Sequence, residues 1–363
     1  MPDLQVHQID TYQDWHALTH KWDSLLQACP TATFFQTWQW LLSWVECSLN
    51  DKRSLFILAC YDQGQLVGVA PWYIQNKKTG PFRLREIRFI GFPDPGSDYL
   101  AVLAAKRKER QVAEAVYAYI FHGPGQKAWD QLHLTDIRAD DLFLLHFLAK
   151  VDKEGKYAEL SFSGYCPYLV LPQSPEDLYA QLSPGWRKKV KQDTRVLARE
   201  QDLRLTSSSG READRQLGTF FELFQNKSPW PNARLQAIWE KVMARYDDEN
   251  PVQIDMLSVQ GLTVAGLLHI KYGTTLAMYT MAVDKKYNPK ISLGNYLVGQ
   301  SIQNAIDQGY AIYDLLKGAE DYKFHWANQG NRTVQLRMWR KTPAGLCSAL
   351  SMFSRQAGKL VLR

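Results

Sequence analysis

Few cysteines and no long apolar run are the first features of this sequence, and each removes a class of protein. The five cysteines, Cys29, Cys47, Cys60, Cys166 and Cys347, are scattered over 363 residues. None makes a C-x-x-C pair or stands at ligand spacing from a histidine, so neither a disulfide framework nor a zinc centre is expected, and no metal is called for. No segment approaches the roughly 20 apolar residues that span a bilayer. The start, Met-Pro-Asp-Leu-Gln-Val, lacks the basic residues and apolar stretch of a secretory signal, so a cytoplasmic protein is the expectation. Charge of either sign is not extreme. Lys and Arg exceed Asp and Glu to give +6, a mild balance that favours anionic ligands without choosing among them. With 45% apolar and 22% charged residues, the chain has an ordinary globular composition and length for two domains.

What is present is aromatic and periodic. Leu4 to Ile9 reads as a strand, and Asp10 and Thr11 announce a helix in which Trp15, Leu18, Trp22, Leu25 and Leu26 fall at helical spacing. Pro30 stops it. A second helix carries Phe34, Phe35, Trp38, Leu41, Leu42 and Val45, and an aromatic core between the two helices is the simplest use of these rings. Ser54 to Tyr61 and Leu66 to Ile74, around Asp62-Gln63-Gly64, predict a hairpin. Leu84 to Phe92 and Ser97 to Leu100 predict further strands. A helix (Arg107 to Phe121), a strand (Trp129 to Ile137) and a helix (Asp140 to Val151) follow.

From Tyr157 the order begins again. Tyr168 to Leu171 is extended, Ser174-Pro175 opens a helix, and Ser183-Pro184-Gly185 separates it from a basic helix, Trp186 to Gln201. A strand at Leu203 to Ser207 and helices at Arg211 to Gln225 and Ala233 to Arg245 lead to a hairpin, Val252 to Val259 and Leu262 to Ile270. Leu276 to Val283, the helix Leu293 to Gln308, Ala311 to Leu316 and Val334 to Arg340 complete the series. Gln65 to Ala70 is echoed by Thr263 to Leu268, each the second strand of a hairpin with a small residue at its centre. The chain reads as two copies of one α+β unit meeting near residue 160, with two unrelated mixed domains as the alternative.

Charged and aromatic groups gather at the end of the strand 311–316. Asp314, Lys317, Gly318, Glu320, Tyr322, Lys323 and Trp326 lie together there, and loops beyond strand ends commonly display functional groups. Asp314 suits a general base or an orienting carboxylate, or else pairs with Lys317 or Lys323. His325 lies close by and titrates near neutrality when unperturbed, although a lone histidine is more often structural. Lys188, Lys191, Arg195 and Arg199 share one face of the basic helix, either a solvated face or a surface for a phosphorylated substrate, an anionic membrane or tRNA.

The element order, with Asn288-Pro289-Lys290-Ile291-Ser292-Leu293-Gly294-Asn295-Tyr296-Leu297, then Tyr313-Asp314-Leu315-Leu316-Lys317-Gly318-Ala319-Glu320-Asp321-Tyr322-Lys323 and Trp326, resembles the CelD-like, FemAB-related tandem GNAT acyltransferases of bacteria. In the first copy Phe35-Gln36, Trp38 and Ser97-Asp98-Tyr99 also look like that family. The resemblance implies an α+β (mixed α/β) fold of two GNAT-like domains, each a twisted, mostly antiparallel sheet flanked by helices. These are expected at 1–160 and 161–345, followed by an amphipathic helix, 346–363, packed on the second domain or touching a membrane surface.

It also implies acyl transfer from acyl-CoA, or from a carrier-bound donor, to a small-molecule amine such as an amino sugar, an amino acid or an anionic envelope or polysaccharide precursor. The helix N-terminus at Lys285, Lys290, Ser292, Gly294 and Asn295 would then hold the cofactor pyrophosphate. This chain departs from the glycine-richer turn usual there, which puts acetyl-CoA itself in question. Asp314, Tyr322 and Lys323 are the expected catalytic residues, with Tyr322 donating to the leaving thiolate. Asp98, Tyr99, Lys317, Glu320, Trp326 and Arg187 are expected at the acceptor. FemAB relatives with a basic segment include aminoacyl-tRNA-dependent enzymes, but the helical-hairpin insertion of some of them is missing, so tRNA ranks lower. A non-catalytic tandem module in polysaccharide biosynthesis is the remaining alternative.

Overall fold

A computed structural model describes residues 4–93, 96–225, 232–246, 250–284, 286–287 and 291–361. The chain divides into two compact units, Met1–Ser163 with Arg332–Arg363, and Gly164–Asn331. The fold is mixed α+β, with mostly antiparallel sheets flanked by helices.

The first unit begins with β1 (Gln5–Ile9), α1 (Tyr12–His16), α2 (Thr19–Ala28) and α3 (Trp38–Ser48). Helical spacing buries Trp15, Trp22, Leu25 and Leu26 with Trp40 and Trp44, as their periodicity predicts. Thr37 starts α3 by accepting the Trp40 amide. Next come β2 (Arg53–Leu55), β3 (Ile57–Asp62), β4 (Gln65–Ala70), β5 (Trp72–Thr79), β6 (Phe82–Phe89) and β7 (Leu103–Ala104).

The predicted hairpin 54–61/66–74 is thus two pairs in different sheets. β3 pairs with β4, and β2 pairs with β5. Pro71, which has no N–H for a ladder, sits at the break. Ser97 to Leu100, predicted as a strand, is instead a bend in which Tyr99 takes a positive φ of 52°. α4 (Glu109–Phe121), β8 (Gln131–Arg138) and α5 (Leu142–Lys153) follow, the last capped by Asp141 on the Leu144 amide at 2.8 Å.

β9 (Glu159–Val170) passes into the second unit. There α6 (Pro175–Gln181) and α7 (Pro184–Leu197) each begin with a capping serine followed by proline, the residue that tolerates a missing donor in the first turn. Then come β10 (Leu203–Ser209), α8 (Arg211–Gln225), α9 (Asn232–Met243), β11 (Val252–Val259), β12 (Leu262–Tyr272), β13 (Thr275–Val283), α10 (Leu293–Asp307), β14 (Ile312–Asp314) and α11 (Asp321–Trp326). In this unit the strand order is β10-β11-β12-β13-β14-β9, antiparallel except for β13 with β14.

β15 (Gln329–Trp339) carries the chain back, and its residues 333–339 pair with β8 in the first unit. The final strand, expected in the second domain, therefore completes the first. α12 (Pro343–Val361) also packs there, against β5 and β6, rather than on the second domain. Buried Ala344, the Ser348 hydroxyl on Gln131 Oε1 at 2.6 Å and Cys347 Sγ near Thr79 O at 3.7 Å hold it.

Among the described residues, each unit contains one short parallel contact. β6 meets β8 only at Glu86–Gln131 and Ile87–Leu132, and β13 meets β14 only at residues 275–277 against 312–314. A parallel pair needs a crossover, supplied by α4 in one unit and α10 in the other. Separate apolar cores back the sheets. Trp72, Phe89, Val116 and Leu336 lie in the first, and Leu267, Leu297, Tyr313 and Trp326 in the second.

Candidate active site

The second unit's parallel contact is short because the chain leaves the ladder immediately after Asp314. The Leu315 amide turns to Pro167 O at 3.0 Å, and the Gly318 amide to Tyr165 O at 2.9 Å. β13 continues to Val283 without β14 beside it, so the two strands part and leave a notch. α10 starts at the far end of β13. Its N-cap, Ser292, makes no side-chain capping bond, which leaves the first-turn amides uncovered by the cap. Gly294 faces the strand, where a Cβ would lie 2.7 Å from Met281 Sδ and 3.2 Å from Val283. Its missing side chain lets the helix pack on β13. Asn295 is half-buried in the same turn. Lys285 and Lys290 lie outside the described residues.

The loop after β14 is held by two of the expected catalytic residues. Leu316 has φ of +53°, a conformation unusual for a bulky residue. Asp314, 7% exposed, accepts the Leu316 amide at 2.8 Å. Lys323, 4% exposed, donates to Leu316 O at 3.4 Å and Lys317 O at 2.9 Å, and its ammonium is 3.2 Å from Glu320. Gly318 has φ of +149°, and a Cβ there would lie 2.6 Å from that ammonium, so the ends of Lys323 and Glu320 would have to shift to admit a side chain. Asp314 and Lys323 therefore fix one peptide turn from either side. Glu320 is exposed, and Lys317 is exposed with its stem against Gly164. Tyr322 is half-buried; burial first, and then Glu320, push its phenol above the ordinary range, so it stays protonated at neutral pH.

Other expected site residues have structural surroundings. Trp326 is buried, with Gly299 of α10 against the outer edge of its ring and Trp186 edge-on at 5.9 Å, while His325 stacks on Trp186 at 4.1 Å. Arg187 donates to Ala180 O and Leu182 O, both at 3.0 Å, tying α6 to α7. Its helix, which stops at Leu197 rather than near Gln201, presents Lys188, Lys191 and Arg195, and the turn after it adds Arg199, around an open groove of about 570 Å³. In the first unit, Tyr99 is buried and its carbonyl accepts from Gln36 Nε2, beside half-buried Asp98.

One feature was missed. His269 of β12 has no exposed surface, and its Nε2 meets the Tyr313 hydroxyl at 2.9 Å and Ser301 Oγ at 3.0 Å. Asp255 of β11 lies 3.6 Å from Nδ1. Burial lowers the imidazole pKa against the opposing pull of Asp255, so the ring is neutral. This polar cluster joins β12, α10 and β14 beside the notch. Its signal was a histidine and an aspartate inside otherwise apolar strands. Among the described residues, no group of three or more His, Cys, Asp or Glu is placed to hold a metal, and no helix is long and apolar enough to cross a membrane.

Residues 185–324, which contain the notch, α10 and the gripped loop, match the GNAT acetyltransferase domain family Acetyltransf_6. A search of curated proteins by sequence found no match. Among solved structures, the chain is similar to FemX at 11% identity and a TM-score of 0.62, over 93% of this chain and 98% of that one. It is also similar to a tandem GNAT protein from the clavulanic acid biosynthesis pathway (11% identity, TM-score 0.50, 92% and 98% covered). A third likeness is the C-terminal domain of a putative lysylphosphatidylglycerol synthetase from Agrobacterium fabrum (10%, 0.51, 93% and 95%). At these identities the likeness is one of fold. The chain thus carries a segment, residues 185–324, that matches a GNAT domain model, within a fold similar to those of FemX and of a tandem GNAT protein.

Proposed function

We propose that the chain is an N-acyltransferase that moves an acyl group from acyl-CoA, or from a carrier-bound donor, to the amine of an amino sugar, an amino acid or an envelope or polysaccharide precursor. The observation that carries this reading is the parting of β13 from β14 with the uncapped N-terminus of α10 at its edge. First-turn amides and the helix dipole suit a pyrophosphate. The donor supplies an activated acyl carbon, and the protein's part is to hold and orient. As the amine attacks, an N–C bond forms and the bond to the leaving group breaks. The amine releases its proton to solvent, the leaving thiolate gains one, and solvent returns a proton to the group that supplied it. Tyr322, kept protonated, is the candidate donor to the thiolate. Asp314 and Lys323 keep the loop beside the notch in place, and Asp314 is the candidate to orient the amine.

Calorimetry on the full chain with a panel of CoA esters tests the donor. Saturable binding is expected, and no binding across the panel would remove acyl-CoA and favour a non-catalytic module. A tRNA-carried donor is the second reading, favoured by the cationic groove of α7. It requires salt-sensitive tRNA binding that Lys191→Ala and Arg195→Ala weaken.

A further inference from the structure

Strand alternation gives the first unit's sheet two unlike faces. One carries Ile74, Ile87, Phe89, Leu132 and Leu336 against the apolar core. The other presents Lys77, Glu86, Arg88, His133, Gln335 and Arg337 to a cavity of about 560 Å³, whose lining is completed by Ser348, Ser351 and Met352 of α12. Helix packing alone would be served better by apolar side chains, as on the opposite face.

The charges do not balance. Glu86 has no exposed surface, yet this one carboxylate faces Lys77 Nζ at 2.9 Å, Arg88 Nε at 2.5 Å and His133 Nδ1 at 3.6 Å. Arg337 is 3.3 Å from Glu159, and Lys78 also lines the cavity. Three permanent cations on this face, Lys77, Arg88 and Arg337, therefore stand against the two carboxylates Glu86 and Glu159, with exposed Lys78 at the edge of the lining. Crowding like charges costs stability unless an anion joins them. Neutral groups with hydrogen-bonding capacity, Gln131, Gln335 and Ser348, lie among the cations. They suit hydroxyls, while the ammonium and guanidinium groups suit an oxyanion. The volume falls in the roughly 300–1,000 Å³ range of small-molecule pockets.

We propose that this cavity binds a small hydroxylated acid, a sugar or polyol bearing one carboxylate or phosphate. The site lies wholly within the first unit and does not depend on the acyl-transfer reading of the second.

Titration calorimetry on the full chain with glucuronate, glucose 6-phosphate and glucose tests it. Saturable binding of at least one acid and none of glucose is expected, and comparing the two acids identifies the oxyanion. Arg337→Gln and Lys77→Gln should each weaken binding by about tenfold or more, the scale of a lost charge-assisted hydrogen bond. Ser351→Trp fills the cavity from an exposed position without changing charge, and should abolish binding. Circular dichroism and thermal melts verify folding. If loss of Lys77 unfolds the unit by stranding Glu86, the other two variants decide the matter. Binding of neither acid overturns the proposal. Equal binding of glucose, or undiminished binding to folded Arg337→Gln and Ser351→Trp, does so as well.

Discussion

Replacing His269 with glutamine isolates one proton in the core of the second unit. The buried imidazole is held neutral, because burial lowers its pKa from the ordinary value of about 6.5 more than Asp255 raises it. The unfolded chain binds a proton there as pH falls through 6.5, and the folded chain resists it. Stability is therefore present above pH 6.5 and is lost below it, with a slope that approaches about 1.4 kcal/mol per pH unit for one proton. Between pH 7 and 5.5 the loss reaches at most about 1.3 kcal/mol. Asp141, raised to about 6 chiefly by burial, contributes with the opposite sign but lies in the first unit, so a local readout is needed. Hydrogen exchange of β12 and α10 peptides, corrected for intrinsic rates, gives that readout. Glutamine keeps an acceptor for the Tyr313 hydroxyl and does not titrate. Wild-type protection should fall more steeply than that of His269→Gln over the interval. Parallel losses in the two proteins would refute the buried neutral histidine.

Gly299→Ala places a Cβ 2.9 Å from the rigid Trp326 ring, so the second unit should lose about 1–3 kcal/mol in denaturant unfolding. Gly294→Ala meets the flexible end of Met281 and should lose less; equal losses would contradict the packing argument. For Glu86, burial would raise the pKa, but His133, Arg88 and Lys77 together hold it below the ordinary value of about 4.5. Its contribution is present above pH 4.5 and lost as pH falls further, so Glu86→Gln should flatten the acid limb of the first unit's stability. The same change should cost about 2 kcal/mol at pH 7, below the range for fully buried pairs because Lys77 is 39% exposed. Lys323→Met should loosen residues 316–318 to proteolysis and lower turnover together. Asp314→Asn keeps an oxygen for the Leu316 amide, so it should lower turnover while melting within a few degrees of wild type.

Much of the fold was legible because periodicity reports burial directly. Trp15, Trp22, Leu25 and Leu26 needed only their spacing to show which helix face is covered, and Ser174-Pro175 and Ser183-Pro184 carried the starts of α6 and α7 in their own chemistry. Partner choice was less legible. Nothing local in Leu66 to Ile74 says that its two halves hydrogen-bond in different sheets, although Pro71 marked the break. Likewise Val334 to Arg340 has the alternation of a strand, but alternation does not name the neighbour, and β15 pairs with β8 of the first unit. The amphipathic pattern of α12 has the same limit: it shows a buried face without showing what buries it.

The site was legible as a cluster of residue types and much less so as a set of roles. Asp314 and Lys323 are opposite charges a short loop apart, which from sequence alone suggests either chemistry or an ion pair. The structure puts them on the two hydrogen-bonding groups of Leu316, the amide for Asp314 and the carbonyl for Lys323. A bulky residue at positive φ costs of order 1–3 kcal/mol and persists only where its surroundings fix it. Here the carboxylate, the ammonium and the side-chain-free Gly318 together supply that fixation, with buried Tyr313 anchored by His269 and Ser301 one residue before the turn. The loop is thereby held at the point where β14 stops supporting β13. An acyl-transfer site at the notch requires a wall that does not yield when an amine and a donor press into it, and these contacts supply one. On this argument Lys323 acts through the backbone it holds, and Tyr322, whose proton is retained, is the nearer candidate for the chemistry itself.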